Sequence, residues 1–171
     1  MKSIHSKQEY IRLLQIFYSY FGSLEEKIDH FIGPQILADH DERRKAESLR
    51  ADLTALDGAI PSLAPENDTP AINDSLQAFG ALYVIEGSTL GGQIISKMMS
   101  RQLNIDDGKG LSFFNSYGDQ TETKWATFKD VLNHQAKTDN DAERVIEAAD
   151  ATFLKFNYWF EKHGREKELR L

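Results

Sequence analysis

Three glycines fall within six positions of a long apolar run: Gly87, Gly91 and Gly92 in the stretch 81–99, ALYVIEGSTLGGQIISKMM. A glycine inside a helix costs about 1 kcal/mol relative to alanine, so three together need a compensating use. Bare backbone admits two uses. A second helix can cross at close range, or a flat ligand can lie directly on the helix. Gly87 and Gly91 share one face, which suits a crossing. The adjacent Gly91-Gly92 pair is more than a crossing needs, and it invites a kink. A kinked helix of bare backbone suits a planar cofactor. On the residues alone both uses stay open.

Other chemistry-bearing patterns are weaker. The five histidines, His5, His30, His40, His134 and His163, form no H-x-x-x-H or H-E-x-x-H pair. Asp39, His40, Asp41 and Glu42 crowd together like metal ligands, but a charged run of this kind reads better as a solvated helix face. Glu25 and Glu26 are not part of any Glu-x-x-His repeat, so the pattern of a di-iron carboxylate bundle is missing. There is no nucleophile elbow, phosphate-binding loop or dinucleotide fingerprint. With no cysteine in the chain, a disulfide framework, an iron–sulfur cluster and thiol catalysis are excluded.

The elements that must position these residues read as helices. Ser6 followed by Glu9 is a capping box, and Tyr10, Leu13, Leu14, Phe17, Phe21, Leu24 and Ile28 follow at helical spacing. Gly33-Pro34 ends that helix. A second helix is expected over 36–56, with Ala46, Leu49, Leu53 and Leu56 inward. Residues 58–70 hold three prolines and form a loop. The glycine-bearing helix is expected over 73–103, a turn over 106–109, and then a short apolar segment, Leu111 to Phe114. Further helices are expected over 121–134, with Trp125, Phe128 and Leu132 on one face, and over 141–163. The last turns Val145, Ile146, Ala149, Phe153, Phe156 and Phe160 inward. No stretch alternates with period two, so the expected class is all-α.

The chain has 171 residues, 40% of them apolar and 27% charged. That size and balance fit one soluble domain over 1–171 with a real core. A net charge of −7 argues against nucleic acid or an anionic membrane as partner. The start is too polar for a secretory signal, and no apolar run is long enough to span a bilayer. A reducing cytoplasm fits this composition.

These segments resemble, in order, those of heme oxygenases, particularly bacterial members including those associated with bacteriophytochromes. Tyr83 to Met99, with Gly87-Ser88-Thr89-Leu90-Gly91-Gly92-Gln93, is similar to the family's distal helix. Leu14 to Ile28 resembles its second helix, Leu111-Ser112-Phe113-Phe114 with Tyr117-Gly118 the segment after the distal helix, and Ala149 to Phe160 the last core helix. The resemblance implies a helical bundle that clamps heme between a proximal helix and a glycine-kinked distal helix. It implies oxidative opening of heme to biliverdin, CO and iron, using O2 and electrons from a ferredoxin, flavodoxin or reductase. By position, Gly87, Ser88 and Gly91 take the catalytic places. Gly87, Gly91 and Gly92 let backbone approach the heme face, Phe153 and Phe160 line it, and Tyr117 is a polar contact. Lys124 and Lys129 are candidate propionate anchors.

Two departures shape the expectation. Ser88 stands where animal members carry an aspartate that orders distal water. A relay through Ser88 or backbone carbonyls then replaces that acid. The family's proximal histidine lies on a helix before the segment that Tyr10 to Glu25 resembles, and residues 1–4 look like the linker that follows it. His5 falls in the linker, so the iron ligand is left unassigned. A non-enzymatic tetrapyrrole-binding protein is therefore the alternative. An aromatic groove left uncovered by the missing helix is expected to be hidden, most simply by pairing with a second copy, or else by a shift of the helix from Ser6.

Overall fold

The computed structural model describes residues 4–105 and 108–164. Six α-helices follow one another: α1 Lys7–Asp29, α2 Ala46–Ala55, α3 Ser75–Leu103, the single turn α4 Ser112–Asn115, α5 Thr121–Gln135 and α6 Asp139–Gly164. Among the described residues there is no strand, so the molecule is all-α, as the missing period-two alternation requires. None of these helices is long and apolar enough to cross a membrane. The expected turn over 106–109 falls partly outside the described residues, as does most of the 1–4 segment.

Local chemistry sets the helix ends. Ser6 Oγ accepts from the Glu9 N–H at 3.2 Å and starts α1. Asp74 caps α3 by accepting from the Gln77 N–H at 3.1 Å. Asn104 ends it in the left-handed conformation, φ 54°. Thr138 and Asp141 cap α6 reciprocally, each side chain accepting from the other's backbone N–H.

α3 is the central element and lies against α6. Gly80, not one of the three glycines singled out above, makes that contact close. A Cβ there would sit 2.4 Å from the Val145 carbonyl oxygen and 2.7 Å from the Ala148 Cβ. An Arg144–Asp74 ion pair joins the starts of the same two helices. α1 runs antiparallel to α6. Tyr20 Oη donates to the Thr152 carbonyl at 2.7 Å, and Trp159 Nε1 donates to that of Ile16 at 3.1 Å. The core between them holds Tyr10, Leu14, Tyr20, Leu24, Phe79 and Phe128, all fully buried.

Two expectations need correction. Residues 36–56 are not one helix. A 3-10 turn at His40–Glu42 and an extended Arg43 precede α2. The run 39–45 is not a solvated face either, because Arg43 is only 4% exposed. Arg43 and Arg44 turn inward to bond α3, and an unbroken helix would have left them on its outer surface. On α6, Ile146 and Phe153 do not point into the core; they are 60% and 55% exposed.

Candidate functional site

Past Gly80 a cleft of about 470 Å³ opens between α3 and α6. Tyr83, Val84, Gly87 and Ser88 of α3 form one wall, and Ala149, Phe153 and Phe156 of α6 form the other. The floor is aromatic: Phe17 and Phe21 from α1, Phe113 and Phe114 from α4. Phe17 is its hub, with ring centroids 5.1 Å from Phe156, 5.4 Å from Phe21 and 5.5 Å from Phe114. The tilted and edge-on contacts between them are the favoured aromatic geometries. Asp52 fixes α4 by accepting from the N–H groups of Ser112 and Phe113 and from Ser112 Oγ, at 2.6–2.9 Å. Burial pushes the Asp52 carboxyl upward, against the pull of those hydrogen bonds.

Arg44, from the segment before α2, meets Ser88 at the α3 wall of the cleft. Arg44 donates through Nη2 to Ser88 Oγ at 2.7 Å and to the Ile85 carbonyl at 2.8 Å. Its guanidinium lies 4.0 Å over the Phe113 ring. Burial lowers its pKa to about 10. Ser88 Oγ in turn donates to the Ile85 carbonyl at 2.6 Å. The Ser88 proton is thus committed to its own helix, and Arg44 occupies the oxygen as donor.

Behind this wall lies a buried charge network centred on Glu86, which is fully buried on α3. Arg43 Nη1 donates to Glu86 Oε2 at 2.6 Å, and Tyr117 Oη donates to Oε1 at 2.9 Å. Tyr117 Oη also accepts from the Arg44 backbone N–H at 2.8 Å. Arg43 clasps Asp39 with two bonds, at 2.9 and 3.1 Å, and Lys124 adds a third at 2.9 Å. Burial opposes the charge on Arg43, but Glu86 and Asp39 hold its pKa above the ordinary value. Burial likewise opposes the charge on Asp39, and the bonds from Lys124 and Arg43 still bring its pKa down. Burial first, and then Glu86, push the Tyr117 phenol up. The network anchors the middle of α3 to the segment before α2 and to α5.

A family model for heme oxygenase matches residues 1–162. The chain belongs to the heme oxygenase family. It is 27% identical over 149 residues to a heme oxygenase of Xanthomonas campestris pv. campestris, an alignment covering 86% of each chain. It is 22% identical over 169 residues to heme oxygenase 1 of a Nostoc species, covering 90% of this chain and 71% of that one.

Within that family frame, the residues read as site candidates separate. Gly87, Ser88 and Phe153 line the cleft together. Gly91 has no atom within 4 Å of where its Cβ would be. Gly92 faces the other way, with its Cβ position 2.4 Å from the Phe114 carbonyl oxygen. The structure places the Tyr117 hydroxyl in the Glu86 network. Phe160 packs on Phe17 at 6.5 Å, beyond the lining. Lys124 is held by Asp39 and Glu42, and Lys129 sits 5.5 Å over the Trp125 ring. α3 runs unbroken through the glycines from Ser75 to Leu103.

Among the described residues, no histidine lines the cleft. His40 is buried elsewhere, between Asp29 at 3.0 Å and Asp41 at 3.1 Å. Among the described residues no group of three or more histidine and acidic side chains could hold a metal ion. The lining thus fits the porphyrin of a heme, apolar and open over a bare stretch of helix, but supplies no imidazole for its iron. Sequence reasoning missed Arg43, Arg44 and Glu86. The available signal was a lone glutamate in an otherwise apolar helical run, which needs a buried cation to partner it.

Proposed function

We propose that the cleft binds heme and that the protein supports its oxidative opening to biliverdin, CO and iron. The observation that carries this reading is the aromatic cleft against a stretch of α3 where Gly87 presents no side chain. Heme, when bound, supplies the site at which O2 is reduced and the ring that is attacked. The protein's part is to bind, orient and exclude water. Phe17, Phe113 and Phe156 give an apolar bed. Gly87 lets the α3 backbone approach the ring face. Arg44 and Ser88 present fixed donors and dipoles along that wall, where low polarity strengthens them. Electrons come from a protein donor, a ferredoxin, flavodoxin or reductase. A cytoplasmic setting fits such a donor.

The test is a hemin titration followed by turnover. A Soret band that saturates at one hemin per chain, and formation of biliverdin under ascorbate or a ferredoxin–reductase couple, are the expected results. A chain that leaves the hemin spectrum unchanged defeats the reading. One observation favours a second reading, a tetrapyrrole holder without turnover: the described residues of the lining include no histidine. That reading expects stoichiometric binding and no biliverdin.

A further inference from the structure

We infer that Asp52 of α2 is the positioning residue of the cleft floor, and that its negative charge decides how firmly Phe113 and Phe114 are held there. The inference rests on the cleft being the tetrapyrrole site, and it adds a residue that is not itself among the lining. The floor residues sit on α4, a helix of four residues. A single turn fixes several backbone angles for very few hydrogen bonds, so it does not form unaided. Leu111 at its N-cap offers no side-chain bond. The missing acceptor comes from another helix. Asp52 is 2% exposed. Its Oδ1 accepts from the Ser112 N–H at 2.9 Å and from Ser112 Oγ at 2.6 Å, and its Oδ2 accepts from the Phe113 N–H at 2.8 Å. Just before α4, Tyr10 Oη donates to the Gly110 carbonyl at 2.8 Å. One buried carboxylate thus caps the turn that carries both floor rings.

Among the described residues no cation neutralises this carboxylate. α1 and α4 are the helices that pack on α2. From α1 the titratable side chain that faces Asp52 is the Tyr10 phenol, which burial and then Asp52 itself push up. α4 turns only Ser112 and backbone toward it. Of the other charges near α2, Arg50 pairs with Glu47 and Lys7 with Asp57, all at the surface. Burial pushes the Asp52 carboxyl up, so it takes its proton in milder acid than an ordinary aspartate. The extra proton has a place to go: Ser112 Oγ can turn to accept it and donate to the Ser48 carbonyl, 3.4 Å away. The two N–H groups then bond a neutral carboxyl. Hydrogen bonds to an ionised acceptor are roughly twice as strong as neutral ones, so the floor loosens without losing its contacts. The loosening is local. A carboxyl whose pKa is raised in the fold favours the folded state as pH falls from that raised value toward the unfolded one, about 3.9.

The full chain, labelled with nitrogen-15, is followed by NMR from about pH 7.5 to about 4.5, a span that carries a raised aspartate between its two forms. The Ser112 and Phe113 amide protons should move upfield together. Their exchange, corrected for the intrinsic rate, should quicken about tenfold, the difference between charged and neutral hydrogen bonds. Ser112→Ala takes one bond from the ionised form alone and should move the shared midpoint to higher pH. Asp52→Asn should abolish the titration and exchange fast throughout, because its amide group sets a donor against a donor. At neutral pH it should also release hemin to apomyoglobin faster than the wild type does. Circular dichroism identifies which variants are folded, and Ser112→Ala keeps the test open if Asp52→Asn is not. Amides that do not titrate overturn the inference, as does an unmoved midpoint in Ser112→Ala or wild-type hemin release from folded Asp52→Asn. The amide signals need no ligand. If they behave as expected in a chain that binds no hemin, the pin on α4 stands and the heme reading is what fails.

Discussion

Gly91 and Gly92 are neighbours in sequence with opposite consequences for substitution. A Cβ on Gly92 would meet the Phe114 carbonyl oxygen at 2.4 Å, and backbone cannot swing aside as a side chain can. Gly92→Ala is expected to destabilise the protein by about 1–3 kcal/mol, the usual cost of overpacking, seen as a lower urea midpoint. Gly91 has open space before it. Gly91→Leu should keep the circular-dichroism spectrum of the wild type, yet abolish hemin binding. Wild-type affinity in Gly91→Leu would show that no flat ligand lies on that face. The glycine cluster was legible as a demand for close approach, but periodicity alone did not say which glycine meets what. Gly92 packs on α4, Gly87 borders the cleft, and the tight helix crossing belongs to Gly80. That crossing had a faint signal, since Gly80 and Gly87 are two helical turns apart on one face.

At the scale of elements, α1, α3, α5 and α6 were legible from helical apolar spacing, and α1 also from its Ser6 cap. The segment before α2 was not. Its charges have the pattern of a wet helix surface, and no local rule says that Arg43 will instead reach a glutamate 43 residues away. That long-range ion pair carries two predictions. Glu86→Ala leaves Arg43 with Asp39 and the Lys124 carbonyl, and removes the acceptor of the Tyr117 hydroxyl. Breaking a buried pair from one side costs about 3–5 kcal/mol, which urea unfolding would register as a large fall in midpoint. A loss under about 1 kcal/mol would mean that the network does not hold α3. The second prediction concerns acid. Asp39 has its pKa depressed in the fold, so its stabilisation is complete above the unfolded value, about 3.9. It is lost as pH falls through the lower folded value. Thermal melts across that window should drop steeply for the wild type and less steeply for Asp39→Asn. Parallel acid limbs would refute the assignment.

At the scale of the whole molecule, several large apolar side chains among the described residues stand exposed on the two helices that border the cleft. On α3, Leu90, Ile94 and Met98 recur every fourth residue and are 46%, 73% and 39% exposed. On α6, Phe153 and Leu154 are more than half exposed. Scattered apolar side chains are ordinary, but a stripe running beside an open aromatic cleft is a surface that water disfavours. Fully burying one such side chain stabilises by about 1.5–3 kcal/mol, so covering three or four of them rivals the net stability of a domain. We propose a second copy as the cover. The stripe can meet its own image across a two-fold axis, and Gly91, with nothing before it, lets the two α3 helices approach closely. Light scattering at micromolar concentration should then give twice the chain mass. Ile94→Lys should shift it to one chain without lowering the monomer's own stability, because Ile94 contributes little to the core. Hemin laid on the same α3 face should compete, moving the wild type toward the single chain as it saturates. A wild type that scatters as a single chain at these concentrations, before any hemin is added, would rule out the pairing.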